Sequence, residues 1–276
     1  MSFLATGKVN YPARIERAEL LSARYPFASE ILGFYGHVAK SQKEFHEQLP
    51  KIWGKGAVVP AGGELRAELN LPILLEPFGR FLSLIESQGP GPLAAQSGQL
   101  RAQGETEWTA ALADFWEAGM LESGSSEVLK EFLARAFLLP YAEFLVGVML
   151  PPILPMTVCR CPRCNSLPLL GVLRPEGDGG KRFLQCSFCS QEWEFRRILC
   201  AHCGEDREQQ LPVYVAELFP QIRVECCDAC KHFLRTIDLT KDGNAVPIVD
   251  DLAAIPLSLW AEENGYKRIQ GNLLGT

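Results

Sequence analysis

Cysteines carry most of the chemistry that this sequence offers. All ten lie between Cys159 and Cys230, and the rest of the 276 residues contain none. Eight of them form four C-x-x-C pairs, arranged as two copies of a C-x2-C, about 20 residues, C-x2-C unit, a spacing typical of four-thiolate metal sites. The predicted ligands are Cys161, Cys164, Cys186 and Cys189 for one site, and Cys200, Cys203, Cys227 and Cys230 for the other.

Two mononuclear metal ions would compensate for a small core. A segment of about 80 residues with short strands buries little apolar surface, and such units usually need disulfides or a structural metal to be stable. A structural four-thiolate metal can contribute on the order of 10 kcal/mol to folding. Four sulfurs accept zinc or a single rubredoxin-type iron, and composition does not choose between them. Interleaved pairing, first pair with third and second with fourth, stays open as the alternative ligand grouping.

The residue after each pair indicates the local backbone. In a C-x-x-C metal knuckle this residue usually adopts a left-handed conformation, which glycine takes freely and asparagine tolerates. The two leading pairs are followed by Asn165 and Gly204, whereas the lagging pairs are followed by Ser190 and Lys231. We therefore expect two equivalent ribbons in which leading and lagging knuckles differ.

Four further residues near the pairs have weaker predictions. Cys159 and Cys226 are spare ligands, reactive thiols with a pKa lowered by nearby arginines, or simply small half-buried residues. His202 and His232 are expected to face solvent or to support the ligands, because each site already has four sulfurs. A four-cysteine site has no vacant coordination position, and none of the common catalytic motifs is found. The sequence therefore predicts a protein that is not an enzyme, without catalytic residues.

Charge argues against nucleic acid as a partner. The chain carries 27 basic and 33 acidic residues, for a net charge of -6. The 11 basic and 11 acidic side chains of residues 156–240 cancel, and two divalent ions with eight thiolates would add a further -4. The segment therefore lacks the excess positive charge that would bind a phosphate backbone by releasing its counterions. Clustered thiols and an N-terminus without a secretory pattern favour a cytoplasmic location.

The first 155 residues show helical periodicity. Helices are expected from Arg14 to Phe45 with a break at Pro26, from Gly63 to Ser87 with a bend or restart near Pro72 and Pro77, from Glu105 to Leu121 and from Ser126 to Met149, with a loop from Gly89 to Gln99. The run from Ala136 to Pro155 has a single charge, Glu143, but its prolines leave too little unbroken helix to cross a membrane. We expect a buried core helix there, with Glu143 paired or at its rim.

Short β-like runs replace the helical pattern after Thr157. They are Leu169–Leu173, Arg182–Gln185, Trp193–Ile198, Val213–Val215 and Leu234–Leu239, followed by one further helix that begins near Asp250-Asp251. The predicted fold class is α with a small β part: a helical domain (1–155), two tandem four-cysteine ribbons (156–198 and 199–240) and a C-terminal tail with a short helix (241–276).

Several of these segments resemble the formate dehydrogenase accessory (formation) protein family, FdhE. The resemblance rests on CPRC at Cys161, CSFCSQEWEFRRILCAHCG from Cys186, CDAC at Cys227, and the tail motifs Asp250-Asp251-Leu252-Ala253 and Glu263-Asn264-Gly265-Tyr266-Lys267-Arg268. It implies a cytoplasmic maturation factor that acts on the catalytic subunit of respiratory formate dehydrogenase, with rubredoxin-like iron at the cysteine sites. One departure is Asn165, which stands where the family has glycine.

Three functions remain open from the sequence. The first is an assembly factor that binds the formate dehydrogenase catalytic subunit and carries two metal ions per chain, with iron favoured by the resemblance and zinc as the alternative. The second is a zinc-ribbon nucleic-acid-binding protein, and the third is a rubredoxin-like electron carrier. The sequence leaves the oligomeric state and the partner surface open.

Overall fold

The computed structural model describes residues 9–53, 64–118, 128–149, 155–177 and 179–275. The helices are α1 (Tyr11–Arg24), α2 (Ser29–Ile52), α3 (Leu71–Gln88), α4 (Gly91–Gln103), α5 (Glu105–Ala118), α6 (Val128–Val148), α7 (Pro247–Ala253) and α8 (Ile255–Glu263). The strands are β1 (Pro168–Glu176), β2 (Gly179–Cys186), β3 (Glu192–Glu194), β4 (Val213–Ala216), β5 (Phe219–Cys227), β6 (His232–Asp238) and β7 (Lys267–Arg268). The predicted fold class is confirmed.

The chain forms two compact units. A helical unit contains Lys8–Ile15 and Phe34–Leu150, and the other unit contains Glu16–Gly33 and Pro151–Thr276. The domain limits expected from the sequence, at residues 155, 198 and 240, stay predictions.

The helical segments begin and end where their prolines allow. The break predicted at Pro26 is a short 3-10 turn between α1 and α2. The restart predicted near Pro72 is confirmed: a 3-10 turn, Leu65–Ala67, is followed by α3, because Pro72 lacks an N–H and fits the first turn of a helix. Pro77 lies inside α3, which continues to Gln88. The predicted ends at residues 119–121 and 126–127 lie outside the described residues.

The predicted loop from Gly89 to Gln99 is wrong. Most of it belongs to α4, in which Pro92 occupies the first turn and therefore removes no intrahelical hydrogen bond. Leu93, Ser97 and Leu100 recur at helical spacing and are buried, and Ser97 Oγ donates to the carbonyl of Leu82 at 2.8 Å. Burial of this stripe outweighs the turn-forming preference of the Gly-Pro-Gly-Pro start.

Helix α6 is the core of the helical unit. Almost every residue from Leu133 to Val146 is buried, including Phe137, which stacks on Phe45 with ring centroids 4.8 Å apart. Glu143 is buried and paired: Arg14 Nη2 lies 2.6 Å from its Oε1, and Tyr11 Oη donates to its Oε2 at 2.6 Å. In the described part of the chain, no helix combines the length and the hydropathy that a membrane crossing requires.

One sheet contains the strands of both cysteine repeats. Its order is β3-β2-β1-β6-β5-β4, with β7 paired to β6. Each repeat has the same plan of knuckle, antiparallel hairpin, knuckle and third strand: β1, β2 and β3 in the first copy, and β4, β5 and β6 in the second. The copies meet where β1 pairs parallel with β6, with Gly171 opposite Thr236. The two ribbons are therefore halves of a continuous sheet.

The tail contains two short helices where one was expected. Pro256 lies in the first turn of α8, and Ala254 separates the end of α7 from the start of α8. Asp250 and Asp251 lie inside α7, not at its start, and both are buried. Arg235 of β6 and Arg268 of β7 both lie within 2.8 Å of Asp251 Oδ1, so the helix is fixed to the sheet by buried ion pairs.

Candidate metal centres

The first centre lies between the loop before β1 and the end of β2. Cys161 and Cys164 belong to the loop, while Cys186 ends β2 and Cys189 follows in the next turn. The Cys161–Cys189, Cys164–Cys186 and Cys164–Cys189 sulfurs are 3.5, 3.3 and 3.6 Å apart. All four side chains are buried.

The second centre has the same arrangement around β5. Cys200 and Cys203 precede the β4–β5 hairpin, Cys227 ends β5, and Cys230 lies in the turn before β6. The Cys200–Cys230 and Cys203–Cys227 sulfurs are each 3.8 Å apart. In contrast to the first centre, Cys203 is exposed and Cys230 is half-buried.

The sulfur spacing suits one ion at each centre. A tetrahedron with metal–sulfur bonds of about 2.3 Å has edges of about 3.8 Å. Within each quartet all four sulfurs lie within 4.8 Å of one another, and all ten cysteines are free thiols. The structure groups the cysteines sequentially and not in the interleaved arrangement. Both quartets could therefore hold a metal ion.

All four knuckles share one backbone conformation, contrary to the asymmetry that we predicted. The φ angles are 59° at Asn165, 55° at Ser190, 76° at Gly204 and 55° at Lys231. In three of the knuckles the carbonyl of the first cysteine accepts a hydrogen bond from the left-handed residue, as in Lys231 N to the Cys227 oxygen at 2.8 Å. Knuckle geometry therefore overrides the residue preference at Ser190 and Lys231.

In three of the knuckles a backbone amide points at the sulfur of the first cysteine of the pair. The amide nitrogens of Arg163, Phe188 and His202 lie 3.4, 3.3 and 3.4 Å from the sulfurs of Cys161, Cys186 and Cys200. Such N–H donors stabilise a thiolate more than a thiol. They therefore prepare these sulfurs to act as metal ligands.

Four thiols packed together favour a cation, because each ionised sulfur opposes ionisation of the next. In the first centre, hydrogen bonds from Cys161 and its neighbours lower the pKa of Cys164, while burial raises the pKa values of Cys186 and Cys189. In the second, burial raises the pKa of Cys200 to about 11. A divalent ion relieves this repulsion and stabilises the fully deprotonated set.

A buried arginine accompanies the first centre. Arg163 lies within the first knuckle and is only 7% exposed. Burial lowers its pKa, while the charges of Cys161 and Cys189 act in the opposite direction. A four-thiolate site with a divalent ion carries a net charge of about -2, which this guanidinium partly offsets.

The two cysteines outside the quartets are not activated thiols. Burial raises the pKa of Cys159, and it raises the pKa of Cys226 to about 12. The lowered pKa considered for Cys159 is not found, because loss of solvation outweighs the charge of Arg182. Cys159 Sγ lies 3.7 Å from the carbonyl oxygen of Cys200, and Cys226 is a buried residue of β5.

The sequence did not predict that two histidines would meet at the second centre. His202 is exposed and His232 is half-buried, and their rings stack with centroids 3.8 Å apart at 19°. His202 lies between the cysteines of one pair and His232 lies after the other pair, 30 positions later, so no local sequence signal indicates that the rings meet. The other histidines, His37 and His46, belong to the helical unit.

These features define a class of protein with two tandem four-cysteine knuckle ribbons in one sheet, accompanied by a helical unit. Residues 160–197 match the family model "FdhE, central domain", and residues 184–274 match "FdhE, C-terminal domain". Together the two matches span residues 160–274, the part of the chain that contains both cysteine quartets.

Relatives extend the similarity along the chain. A protein FdhE homolog of Aquifex aeolicus (strain VF5) is 25% identical over 95% of this chain and 94% of its own length. A homolog of Pseudomonas aeruginosa is 32% identical over 58% of this chain and 54% of that relative. The crystal structure of the FdhE protein from Pseudomonas aeruginosa, at 23% identity, superposes with a TM-score of 0.71 over 98% of both chains and shares the fold.

Proposed function

We propose that the protein is a maturation factor for respiratory formate dehydrogenase. In this proposal it binds the catalytic subunit in the cytoplasm and helps it to reach its active form. The observation that carries the proposal is the pair of four-cysteine clusters within residues 160–274, which match both FdhE domains. The other support is the resemblance of the knuckle and tail motifs to this accessory family.

Each quartet holds one mononuclear metal ion in this proposal. The ligands are Cys161, Cys164, Cys186 and Cys189 in the first centre, and Cys200, Cys203, Cys227 and Cys230 in the second. The sulfur separations of 3.3–3.8 Å support this role, since they are close to the edge of a metal–thiolate tetrahedron, about 3.8 Å. Iron is favoured by the resemblance, and zinc is the alternative.

The protein acts without catalysis of its own in this proposal. A metal held by four thiolates has no vacant position at which to activate water or a carbonyl. The first centre is also closed to solvent by burial of all four cysteines. The role of the first centre is then to stabilise the β1–β2 half of the sheet.

Genetic complementation tests the proposed function. A strain that lacks the gene is expected to lose formate dehydrogenase activity, and the intact gene is expected to restore it. Variants Cys161→Ser and Cys227→Ser should restore little activity, whereas Cys226→Ser, which removes a neighbouring buried thiol outside both quartets, should restore it fully. Normal activity in the deletion strain would reject the proposal.

Capture of the partner tests the binding step separately. The tagged full-length protein should retain the formate dehydrogenase catalytic subunit from the native host. Absence of every formate dehydrogenase subunit from the captured material, in cells that express the enzyme, would contradict direct binding.

Electron transfer at the second centre is a second candidate function. Its support is exposure of Cys203, which brings one ligand to solvent, where a partner could approach a one-electron iron couple. The visible spectrum of protein purified from iron-supplied cells tests it. A reversible colour change on reduction would support electron transfer, and a colourless protein with two zinc ions per chain would eliminate it.

A further inference from the structure

On the exposed side of the second centre, two histidines add two further possible ligand atoms beside Cys230 of the quartet. A ring nitrogen of His202, a ring nitrogen of His232 and the sulfur of Cys230 all lie within 4.8 Å of one another. Imidazole nitrogen and thiolate sulfur are the donors preferred by zinc and similar divalent transition ions. We propose that His202, His232 and Cys230 form a third metal site, with the Cys230 thiolate shared between it and the second centre.

The hydrogen bonding of His232 fits a ligand. Its Nδ1 lies 2.8 Å from the carbonyl oxygen of Cys230. A carbonyl oxygen only accepts, so Nδ1 carries the proton and Nε2 keeps a free lone pair. Metal-binding histidines are commonly oriented in this way, with the second ring nitrogen donating to a backbone carbonyl. The bond therefore fixes both the ring and its tautomer before any ion arrives.

Stacking brings the second imidazole to the same place. The rings of His202 and His232 lie 3.8 Å apart and nearly parallel. Because an imidazole lone pair lies in the plane of its ring, the exposed His202 ring must turn out of the stack to direct a nitrogen at an ion bound by His232. His202 follows Cys200 by two positions in one knuckle, and His232 follows Cys230 by two positions at the end of the other. The knuckle fold thus places one histidine from each half of the second repeat beside a shared sulfur.

Charge at this position favours a cation. A divalent ion with four thiolates carries a net charge of about -2, and Cys230 is its half-buried edge. A second divalent ion that shares Cys230 brings this charge to zero. The guanidinium of Arg160 opposes a cation near His202, but it is exposed and donates to the carbonyl of Asn165 at 3.0 Å. One screened guanidinium is weaker than a thiolate in direct contact.

The ligand count separates this site from the two quartets. Three protein ligands leave a fourth position for water or an incoming ligand, as in exchangeable or catalytic metal sites. The ion at this site should therefore bind with lower affinity, and exchange faster, than the ions within the quartets. The inference rests on the proposed metal at the second centre, because the shared thiolate needs that ion to stay deprotonated.

Calorimetric titration with Zn²⁺ alone tests the third site. Full-length protein that already holds two zinc ions should take up one further ion per chain. His202→Ala removes an exposed ligand, and His232→Asn keeps an amide N–H for the Cys230 carbonyl but removes Nε2. Each variant should keep two ions and bind the third at least about tenfold more weakly.

The control is His37→Ala, which removes an exposed imidazole from the helical unit and should leave the third ion unchanged. Uptake of no third ion by the wild-type protein, or an equal affinity in the His202 and His232 variants, would overturn the inference while leaving the two quartets intact. Fewer than two ions before the titration would contradict the four-cysteine centres themselves, and the shared site with them.

Discussion

Burial differs between the two sulfur sets at the level of single residues. Cys189 of the first quartet is 1% exposed, whereas Cys203 occupies an exposed position in the second. A chelator reaches a metal only when a ligand opens to solvent, so exposure controls the rate at which the ion is lost.

Metal release should therefore occur in two phases. With a chelator in excess, we expect the second centre to lose its ion about tenfold faster than the first. Cys161→Ser, which retains only the second centre, should show the fast phase, and Cys227→Ser, which retains only the first, should show the slow phase. Equal release rates in the two variants would contradict the assigned difference in access.

Asp251 is the buried carboxylate on which the tail depends. Burial raises its pKa, but the charges of Arg235 and Arg268 and a hydrogen bond from Asn272 outweigh burial and leave the pKa below its usual value. Arg235 is itself fully buried, and burial lowers its pKa to about 10. Removing the carboxylate would leave this guanidinium without its ionic partner.

Asp251→Asn should lower the free energy of unfolding by about 3–5 kcal/mol, the usual cost of leaving a buried charge unpaired. Asp206→Asn, which removes a carboxylate from an exposed pair with Arg196, should change it by less than about 1 kcal/mol. Urea unfolding at neutral pH compares the two. A small effect of Asp251→Asn would show that the buried cluster does not hold the tail.

The lowered pKa of Asp251 also predicts acid sensitivity. An aspartate whose pKa is lower in the folded state contributes stability above its unfolded pKa of about 3.9, and that contribution is lost as pH falls through the folded value. Wild-type stability should therefore fall below about pH 4, and the slope should be smaller in Asp251→Asn. Urea unfolding between pH 3 and 7 measures both slopes, and identical slopes would contradict the prediction.

At the level of elements, the sequence predicted strands better than their pairing. The five β-like runs predicted five strands, namely β1, β2, β3, β4 and β6. Strand β5 was missed because its polar residues, such as Arg223 and Glu225, interrupt the apolar pattern. The parallel β1–β6 contact was also missed, because it joins residues more than 60 positions apart and no local signal encodes it.

That contact depends on Gly171. A Cβ at this position would lie 2.2 Å from Thr236 Oγ1 and 3.1 Å from Thr236 Cβ. Gly171→Ala should therefore push β1 away from β6 and cost about 1–3 kcal/mol. Gly179→Ala in β2 is the matched control, since its Cβ would meet only one atom, at 4.0 Å, and should be tolerated. Equal thermal unfolding temperatures for the two variants would refute this account of the junction.

On the scale of the whole chain, the sequence predicted composition and class better than the limits of the compact units. A helical first half and a cysteine-rich second half could be predicted because periodicity and residue type change together near Thr157. Assignment of Glu16–Gly33 to the unit that contains the sheet could not, because it depends on tertiary contacts. Arg17 of α1, for example, contacts Asp250 of α7 at 2.6 Å.

In the proposed function, two independent four-sulfur centres hold one metal ion each. Elemental analysis of the purified protein, after removal of weakly bound metal, tests it most directly. We expect two ions per chain in the wild-type protein and in Cys226→Ser, and one in Cys161→Ser and in Cys227→Ser. Metal-free wild-type protein, or a content that does not change when a quartet cysteine is replaced, would contradict it.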